Sequence, residues 1–225
     1  MKTIGVISQK GGSGKTTLAI HLAVAAHQAG QQAVLADLDE QASATQWHQS
    51  RSESMPYVQP THSASLAQTA NAAANEGVDV LVLDTAPQSN QAAMLAAQIS
   101  DVILIPCRPS VMDLRAIQNT LRLTEIAELK PDIEIRVVLT LVDSFGRLHE
   151  EAQQALSELG VQVLPIHMGR RVAYHHGLIN GRTALEFDPR GKAADETRRI
   201  YEEVCKLNSG HLTFINQQAG YRHGQ

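Results

Sequence analysis

Cysteine and aromatic residues are both scarce in this chain of 225 residues, and long apolar runs are missing. The two cysteines, Cys107 and Cys205, lie far apart without a metal-binding spacing, which favours a reduced, cytoplasmic protein. No apolar stretch approaches the roughly 20 residues that a membrane-spanning helix needs. The first predicted helix follows a loop rather than a charged leader, so we expect no signal peptide.

An excess of charge of either sign is also missing. The formal net charge of −4 gives no global sign of nucleic-acid binding, so any contact with DNA would need a local basic patch. The chain length and the hydrophobic content of 43% fit one α/β domain that buries a sizeable core. We predict a single domain over residues 1–207 and a flexible, polar C-terminal tail over residues 208–225.

Short β-branched runs alternate with helical patterns along the chain. This alternation predicts an α/β fold, a doubly wound and mostly parallel sheet with helices on both faces. Strands are predicted at residues 3–7, 33–36, 78–83, 102–106, 133–141 and 161–164. Helices are predicted at residues 16–29, 63–75, 91–99, 111–129, 147–159 and about 192–206.

The most informative segment is a glycine-rich loop that follows the first predicted strand. It reads Lys10-Gly11-Gly12-Ser13-Gly14-Lys15-Thr16-Thr17. Glycines let backbone N–H groups turn toward an anion, and the start of the next helix adds positive potential. Lys15 would reach the β- and γ-phosphates of a nucleotide, and the Thr16 hydroxyl would ligate Mg²⁺. The standard pattern has glycine six residues before this lysine, where the chain has Gln9, and Lys10 stands at a position that ordinarily varies.

Carboxylates follow two of the predicted strands. Asp37 and Asp39 lie at the carboxyl end of the second strand, where doubly wound folds place ligands and where they would face Mg²⁺ or an attacking water. An acidic turn that caps a helix is the alternative interpretation. Asp84 ends the apolar run Val80-Leu81-Val82-Leu83, which is typical of the residue that holds the hydration shell of Mg²⁺ in phosphate-loop enzymes.

Together these segments resemble the ParA/MinD-type ATPases, whose phosphate loop is deviant, over roughly residues 1–205. The segments 105–114 and 171–194 also resemble that family. The resemblance implies a P-loop NTPase-like fold, ATP and Mg²⁺ as ligands, hydrolysis to ADP and phosphate, and a homodimer that forms on ATP binding. It implies that Lys10 crosses the dimer interface to the partner's nucleotide, a role that suits a transition state with charge spread over the γ-phosphoryl oxygens.

The same resemblance implies the roles of the other site residues, with Asp39 positioning the hydrolytic water and Thr17 contacting the α-phosphate. The candidate catalytic residues are Lys10, Lys15 and Asp39; the nucleotide-binding residues are Gly11, Gly12, Ser13, Gly14, Lys15, Thr16 and Thr17; the metal-supporting residues are Thr16, Asp37 and Asp84.

Two positions depart from the family pattern. Glu40 replaces the proline that usually follows the aspartate pair, which predicts a looser or differently charged turn. The strand before the helix at 147–159 ends Leu139-Thr140-Leu141-Val142-Asp143, without the asparagine that often contacts adenine. Thr140 or backbone groups are the candidate replacements.

Arginine and lysine residues cluster late in the chain. A local cluster of this kind would allow salt-dependent binding of DNA without sequence preference, and a dimer would double it. The alternative is a set of ordinary solvated charges. The candidate DNA-binding residues are Arg170, Arg171, Arg182, Arg198 and Arg199, with Arg190 and Lys192 nearby. A membrane-binding C-terminal helix is disfavoured because residues 210–216 are short and carry little positive charge.

The predicted function is that of a small DNA-partition ATPase of cytoplasmic, nucleoid-associated type. The phosphate loop begins within ten residues of Met1, so we expect no N-terminal helix-turn-helix. The ATP-bound homodimer would bind nonspecific DNA and be released when a centromere-binding, ParB-like partner stimulates hydrolysis. The alternatives are an ATPase that positions another cargo, such as a chemoreceptor array, a microcompartment or the division site, and a metabolic ATP-dependent ligase on the same scaffold.

Overall fold

The computed structural model describes residues 1–87, 89–127, 129–145 and 147–207. Within them six strands form one parallel sheet in the order β3-β2-β4-β1-β5-β6. The strands are β1 (Lys2–Val6), β2 (Ala33–Asp37), β3 (Tyr57–Pro60), β4 (Val80–Asp84), β5 (Val102–Cys107) and β6 (Glu134–Leu139). β1 therefore lies inside the sheet, between β4 and β5, and the loop after it opens at the centre of the sheet edge.

Helices cover both faces of this sheet. They are α1 (Lys15–Gln28), α2 (Ser43–Gln49), α3 (Leu66–Asn75, after a 3₁₀ turn at Ser63–Ser65), α4 (Asn90–Ile99), α5 (Val111–Ile126), α6 (Leu148–Glu158), α7 (Val172–Ile179), α8 (Ala184–Phe187) and α9 (Lys192–Lys206). None of the helices in the described ranges is long and apolar enough to cross a bilayer.

Two apolar clusters form the core, one on each face of the sheet. Alternate residues of the buried strands point to opposite faces, so that Val82 belongs to one cluster and Leu83 to the other. The first cluster packs α1, α8 and α9 against the sheet, and the second packs α4, α5 and α6 against the other face. Burial on both faces explains why these strands read as continuous apolar runs in the sequence.

The predicted fold class is confirmed, and most predicted elements lie within a few residues of the observed ones. The predicted strand at 161–164 is wrong, because that segment meets β6 only through an isolated bridge between Val137 and Val163. Sequence reasoning missed β3, a four-residue edge strand that ends in proline, and the short helices α2, α7 and α8. The predicted tail at 208–225 lies outside the described residues, and the single-domain boundary stays a prediction.

A buried histidine joins the first helix to the C-terminal part of the fold. The His21 ring is fully buried, its Nδ1 lies 2.7 Å from the Thr17 carbonyl, and its Nε2 accepts the Ala184 N–H at 3.0 Å. Because a backbone N–H can only donate, His21 is neutral with its proton on Nδ1. Burial lowers the pKa of His21 to about 4.

We expect this histidine to make the protein sensitive to acid. Its folded pKa lies below its unfolded value, so the unfolded state binds the extra proton and stability falls between about pH 6.5 and pH 4. The loss amounts to roughly 3 kcal/mol for that shift. We expect the free energy of unfolding, measured with denaturant from pH 7 to pH 4, to fall by about this amount less in His21→Gln than in wild type. The exposed control His27→Gln should show the same fall as wild type. An identical pH slope in wild type and His21→Gln would contradict the assignment.

Candidate functional site

The register of the sheet brings the predicted acidic residues to one edge. Val6 and Asp37 are both paired with Asp84, on either side of β4. Because the strands are parallel, the glycine-rich loop after β1 opens at the same edge as the two aspartates. This edge is where open α/β sheets bind ligands.

The loop adopts a conformation that depends on its glycines. Gly12 and Gly14 have φ values of 72° and 92°, in the left-handed region that residues with a Cβ rarely adopt. The Thr140 hydroxyl, at the end of β6, donates to the Ser13 carbonyl at 2.7 Å and fixes the loop from the side. Thr140 therefore positions the loop in this structure, and its candidate role as a replacement for the adenine contact stays a prediction.

Two lysines flank this loop in different environments. Lys15 is buried at the first residue of α1, and its ammonium group donates to the Lys10 carbonyl at 3.2 Å. Burial lowers the pKa of Lys15, and the charges of Asp84 and Asp39 partly offset that effect. The Lys10 side chain is exposed at the loop. The loop thus presents one inward and one outward cation.

Asp84 is a buried carboxylate without a hydrogen-bond partner for either oxygen among the described residues. Burial raises the pKa of Asp84 to about 7, and the Thr16 hydroxyl and Lys15 nearby partly oppose this shift. An orphaned carboxylate beside a threonine hydroxyl is a donor set that suits a hydrated Mg²⁺, which prefers oxygen ligands and retains several waters. The residues present therefore fit the metal that the sequence predicts.

The aspartates after β2 are held in different ways. Asp37 is buried, and its carboxylate accepts both the N–H (2.9 Å) and the hydroxyl (2.8 Å) of Thr45 in the first turn of α2. Asp39 is half-buried and accepts the Gln41 N–H at 2.9 Å. Asp37 therefore anchors the first turn of α2, which agrees with the alternative interpretation of an acidic turn that caps a helix. Its position opposite Asp84 also suits support of a metal ion.

Two cavities lie near the site and share no lining residue. A cleft of about 600 Å³ is lined by Asp37, Asp39, Glu40 and His62, among others. The exposed Glu40 therefore adds a carboxylate to a cleft that is already acidic. A smaller cavity of about 190 Å³ is lined by Gly14, Thr17 and residues from the chain after β6 and in α7, including Leu141, Gly169 and Tyr174.

The candidate DNA-binding arginines do not form one set of free charges. Three of them are ion-paired: Arg170 with Asp143 at 2.7 Å, Arg171 with Glu196 at 2.7 Å, and Arg199 with Asp195 at 3.7 Å. Arg198 donates to the Pro189 carbonyl at 2.7 Å, and Arg182 is exposed in the turn between α7 and α8. The Arg171 guanidinium is half-buried against Glu196, so it is the member least available to a phosphate.

Comparison with known proteins finds a family match over the segment that contains the loop, Asp37 and Asp39. The family model of the CobQ/CobB/MinD/ParA nucleotide binding domain matches residues 4–59. "Maintenance of carboxysome distribution protein A" of Gloeobacter kilaueensis is 31% identical over 214 residues, which cover 91% of this chain and 93% of that protein. The protein of the same name from Halothiobacillus neapolitanus is 29% identical over 209 residues, 90% of this chain and 95% of its own.

Similarity extends to a chromosome-partitioning protein and to solved structures. The chromosome-partitioning ATPase Soj of Thermus thermophilus is 27% identical over 237 residues, 91% of this chain and 95% of its own. The septum site-determining protein MinD of Pyrococcus horikoshii, solved with Mg-ADP, superposes with a TM-score of 0.73 over 92% of this chain and 97% of its own at 18% identity. At that identity the likeness shows a shared fold.

The orphaned carboxylate leads to a second prediction about stability. The folded pKa of Asp84 is raised above its unfolded value, so without a cation its ionisation costs stability as the pH rises from about 4 through about 7. This cost reaches roughly 4 kcal/mol at most. Asp84→Asn should therefore raise the melting temperature of the ligand-free protein more at pH 8 than at pH 5. The exposed control Asp132→Asn should leave the melting temperature unchanged at both pH values. An equal rise of the melting temperature at pH 5 and pH 8 in Asp84→Asn would contradict this account.

Proposed function

The chain belongs to the ParA/MinD family of nucleotide-binding ATPases, and from this premise we propose that it distributes an intracellular cargo by an ATP-driven cycle. The observation that carries the proposal is its likeness, over at least 93% of their lengths, to two proteins named for carboxysome distribution. The cargo proposed is therefore a protein assembly, such as a microcompartment, rather than a DNA molecule.

The nucleotide of this cycle is ATP with Mg²⁺. Phosphates would be held by the loop of Gly11 to Thr17, with Lys15 compensating their charge. Bound Mg²⁺ would screen the phosphate charge, and the residues suited to support it are Thr16 and Asp84, whose carboxylate has no hydrogen-bond partner within the described ranges. Asp39, half-buried at the same edge, is the residue proposed to orient the attacking water.

ATP would also switch the oligomeric state. The Lys10 side chain is exposed, whereas Lys15 is buried, and an exposed loop lysine can reach the nucleotide of a second copy. A homodimer that encloses two nucleotides would persist until hydrolysis, and a partner protein on the cargo would control that step. In this scheme nonspecific DNA is the track, and the exposed Arg182 is a candidate contact to its phosphates.

DNA partition is the second candidate function, favoured by the likeness to the chromosome-partitioning ATPase Soj. The two functions differ in the cargo and share the same ATPase cycle. The metabolic ligase alternative lacks such support, because the structures of a metabolic enzyme on this scaffold, a cobyrinic acid a,c-diamide synthase, match at 17 and 18% identity, which shows the fold alone.

The cargo is tested by deleting the gene in the cell that encodes it. We expect tagged microcompartments or comparable protein assemblies to collapse into a few clusters, while plasmids and chromosomes segregate normally. Complementation with wild type should restore spacing, and complementation with Lys15→Ala should fail because the phosphate site is lost. Plasmid or chromosome loss with evenly spaced assemblies would instead establish the partition function.

The exposed lysine is tested by ATP turnover and nucleotide binding measured on the same preparation. Lys10→Ala should bind ATP nearly as well as wild type but lose at least about 100-fold in turnover, the scale seen when a transition-state donor is removed. Lys15→Ala should weaken nucleotide binding itself, because its ammonium group lies within the loop. Unchanged turnover in Lys10→Ala would reject the role in a second subunit.

A further inference from the structure

One buried carboxylate, that of Glu196, accepts hydrogen bonds from several polar groups of the segment that follows β6. Glu196, in the second turn of α9, is buried and accepts the Gly169 N–H at 3.0 Å. The Arg171 guanidinium donates to it twice, at 2.7 and 3.0 Å, and the Tyr174 hydroxyl lies 3.1 Å away. The three donors come from a segment of only six residues, so a single side chain fixes that segment to α9.

The segment is also packed tightly around a glycine. A Cβ on Gly169 would lie 2.8 to 2.9 Å from the Arg171 guanidinium, so the arginine lies directly over the glycine backbone. Arg171 further donates to the Ser144 hydroxyl at 3.1 Å, which connects it to the loop before α6. Without Glu196 the guanidinium would lose two hydrogen bonds and the charge that holds it in this position.

Gly169 and Tyr174 form part of the wall of the smaller cavity beside the phosphate loop. Gly14 and Thr17, at the start of α1, form another part of that wall. The Tyr174 ring contacts His21 edge to face at 5.0 Å, and His21 bonds to the Thr17 carbonyl. The wall is therefore tied to α9 through Glu196 and to α1 through His21.

We propose that Glu196, with Arg171, is a positioning residue for the nucleobase end of the bound nucleotide. This inference rests on the proposed ATP function. The acidic cleft is lined by Asp37 and Asp39 but by no residue of the phosphate loop, whereas the smaller cavity is lined by Gly12, Gly14 and Thr17. A nucleotide whose phosphates occupy the loop would therefore place its base in the smaller cavity. Glu196 touches no ligand itself; it holds the Gly169–Tyr174 wall against which the base packs.

This assignment replaces the interpretation of Arg171 as a DNA contact. Its charge is compensated by a carboxylate that is itself buried, and removing one partner of such a pair leaves the other uncompensated. An arginine that serves DNA would instead keep its guanidinium exposed to phosphates, and Arg182 is exposed in this way.

The test compares two probes that differ by the base and sugar, Mg-ATP and Mg-tripolyphosphate. Binding of each is measured by calorimetry on the full chain carrying Glu196→Gln. We expect about tenfold weaker binding of ATP, which corresponds to about 1.4 kcal/mol, and unchanged binding of tripolyphosphate. The matched control is Glu203→Gln, which removes a carboxylate from the same helix, paired there with Lys206 at 2.7 Å and remote from the cavity. It should leave both affinities unchanged.

The outcomes separate this proposal from the one on which it rests. Equal weakening of both probes, or unchanged ATP binding in a folded variant, would overturn the role of Glu196. Failure of the wild type to bind either probe would overturn the proposed ATP function instead. If Glu196→Gln does not fold, Arg171→Gln serves the same comparison, because it removes the more exposed member of the pair and should likewise weaken ATP alone.

Discussion

The buried carboxylate of Asp84 is the constraint around which the site is organised. It lies at the carboxyl edge of the central strands, and neither oxygen has a partner in the described part of the chain. Burying such a carboxylate costs free energy on folding, and a cation bound at this edge would offset that cost. The surrounding polar residues are Thr16 and Lys15 from the loop and Asp37 from β2. Their side chains suit the binding of that cation and of the nucleotide phosphates.

The remaining interactions hold the parts of the site in place around this edge. Thr140 fixes the loop through the Ser13 carbonyl, Asp37 anchors α2 through Thr45, and Glu196 fixes the wall of the smaller cavity. Each of these bonds involves a residue that lines a cavity. Asp37 lines the larger cleft, and Thr140 and Gly169 line the smaller one. The site is therefore supported by three separate polar contacts, while the two apolar clusters hold the sheet and helices together.

The sequence predicted the fold class and the family, and both are confirmed, because the glycine loop and the buried strands have local signatures. The roles of the individual site residues stay predictions. It missed α2 and β3, since a short helix that begins after Ala42 in a left-handed conformation and an edge strand that ends in proline have no periodic pattern. It did not reveal that Arg171, a candidate DNA contact, pairs with Glu196, 25 positions away, because that pairing depends on the packing of α9 and leaves no trace in spacing. Nonlocal contacts of this kind need the structure.

ATP is proposed to switch this chain between a monomer and a dimer, with the exposed Lys10 reaching the nucleotide of the second copy. Light scattering coupled to gel filtration tests it most directly, on an Asp39→Ala variant in which ATP should persist because the water-orienting carboxylate is gone. The account predicts a dimer mass with Mg-ATP, a monomer mass with Mg-ADP, and a monomer mass with either nucleotide when Lys10→Ala is added. The same mass with both nucleotides in Asp39→Ala would contradict it.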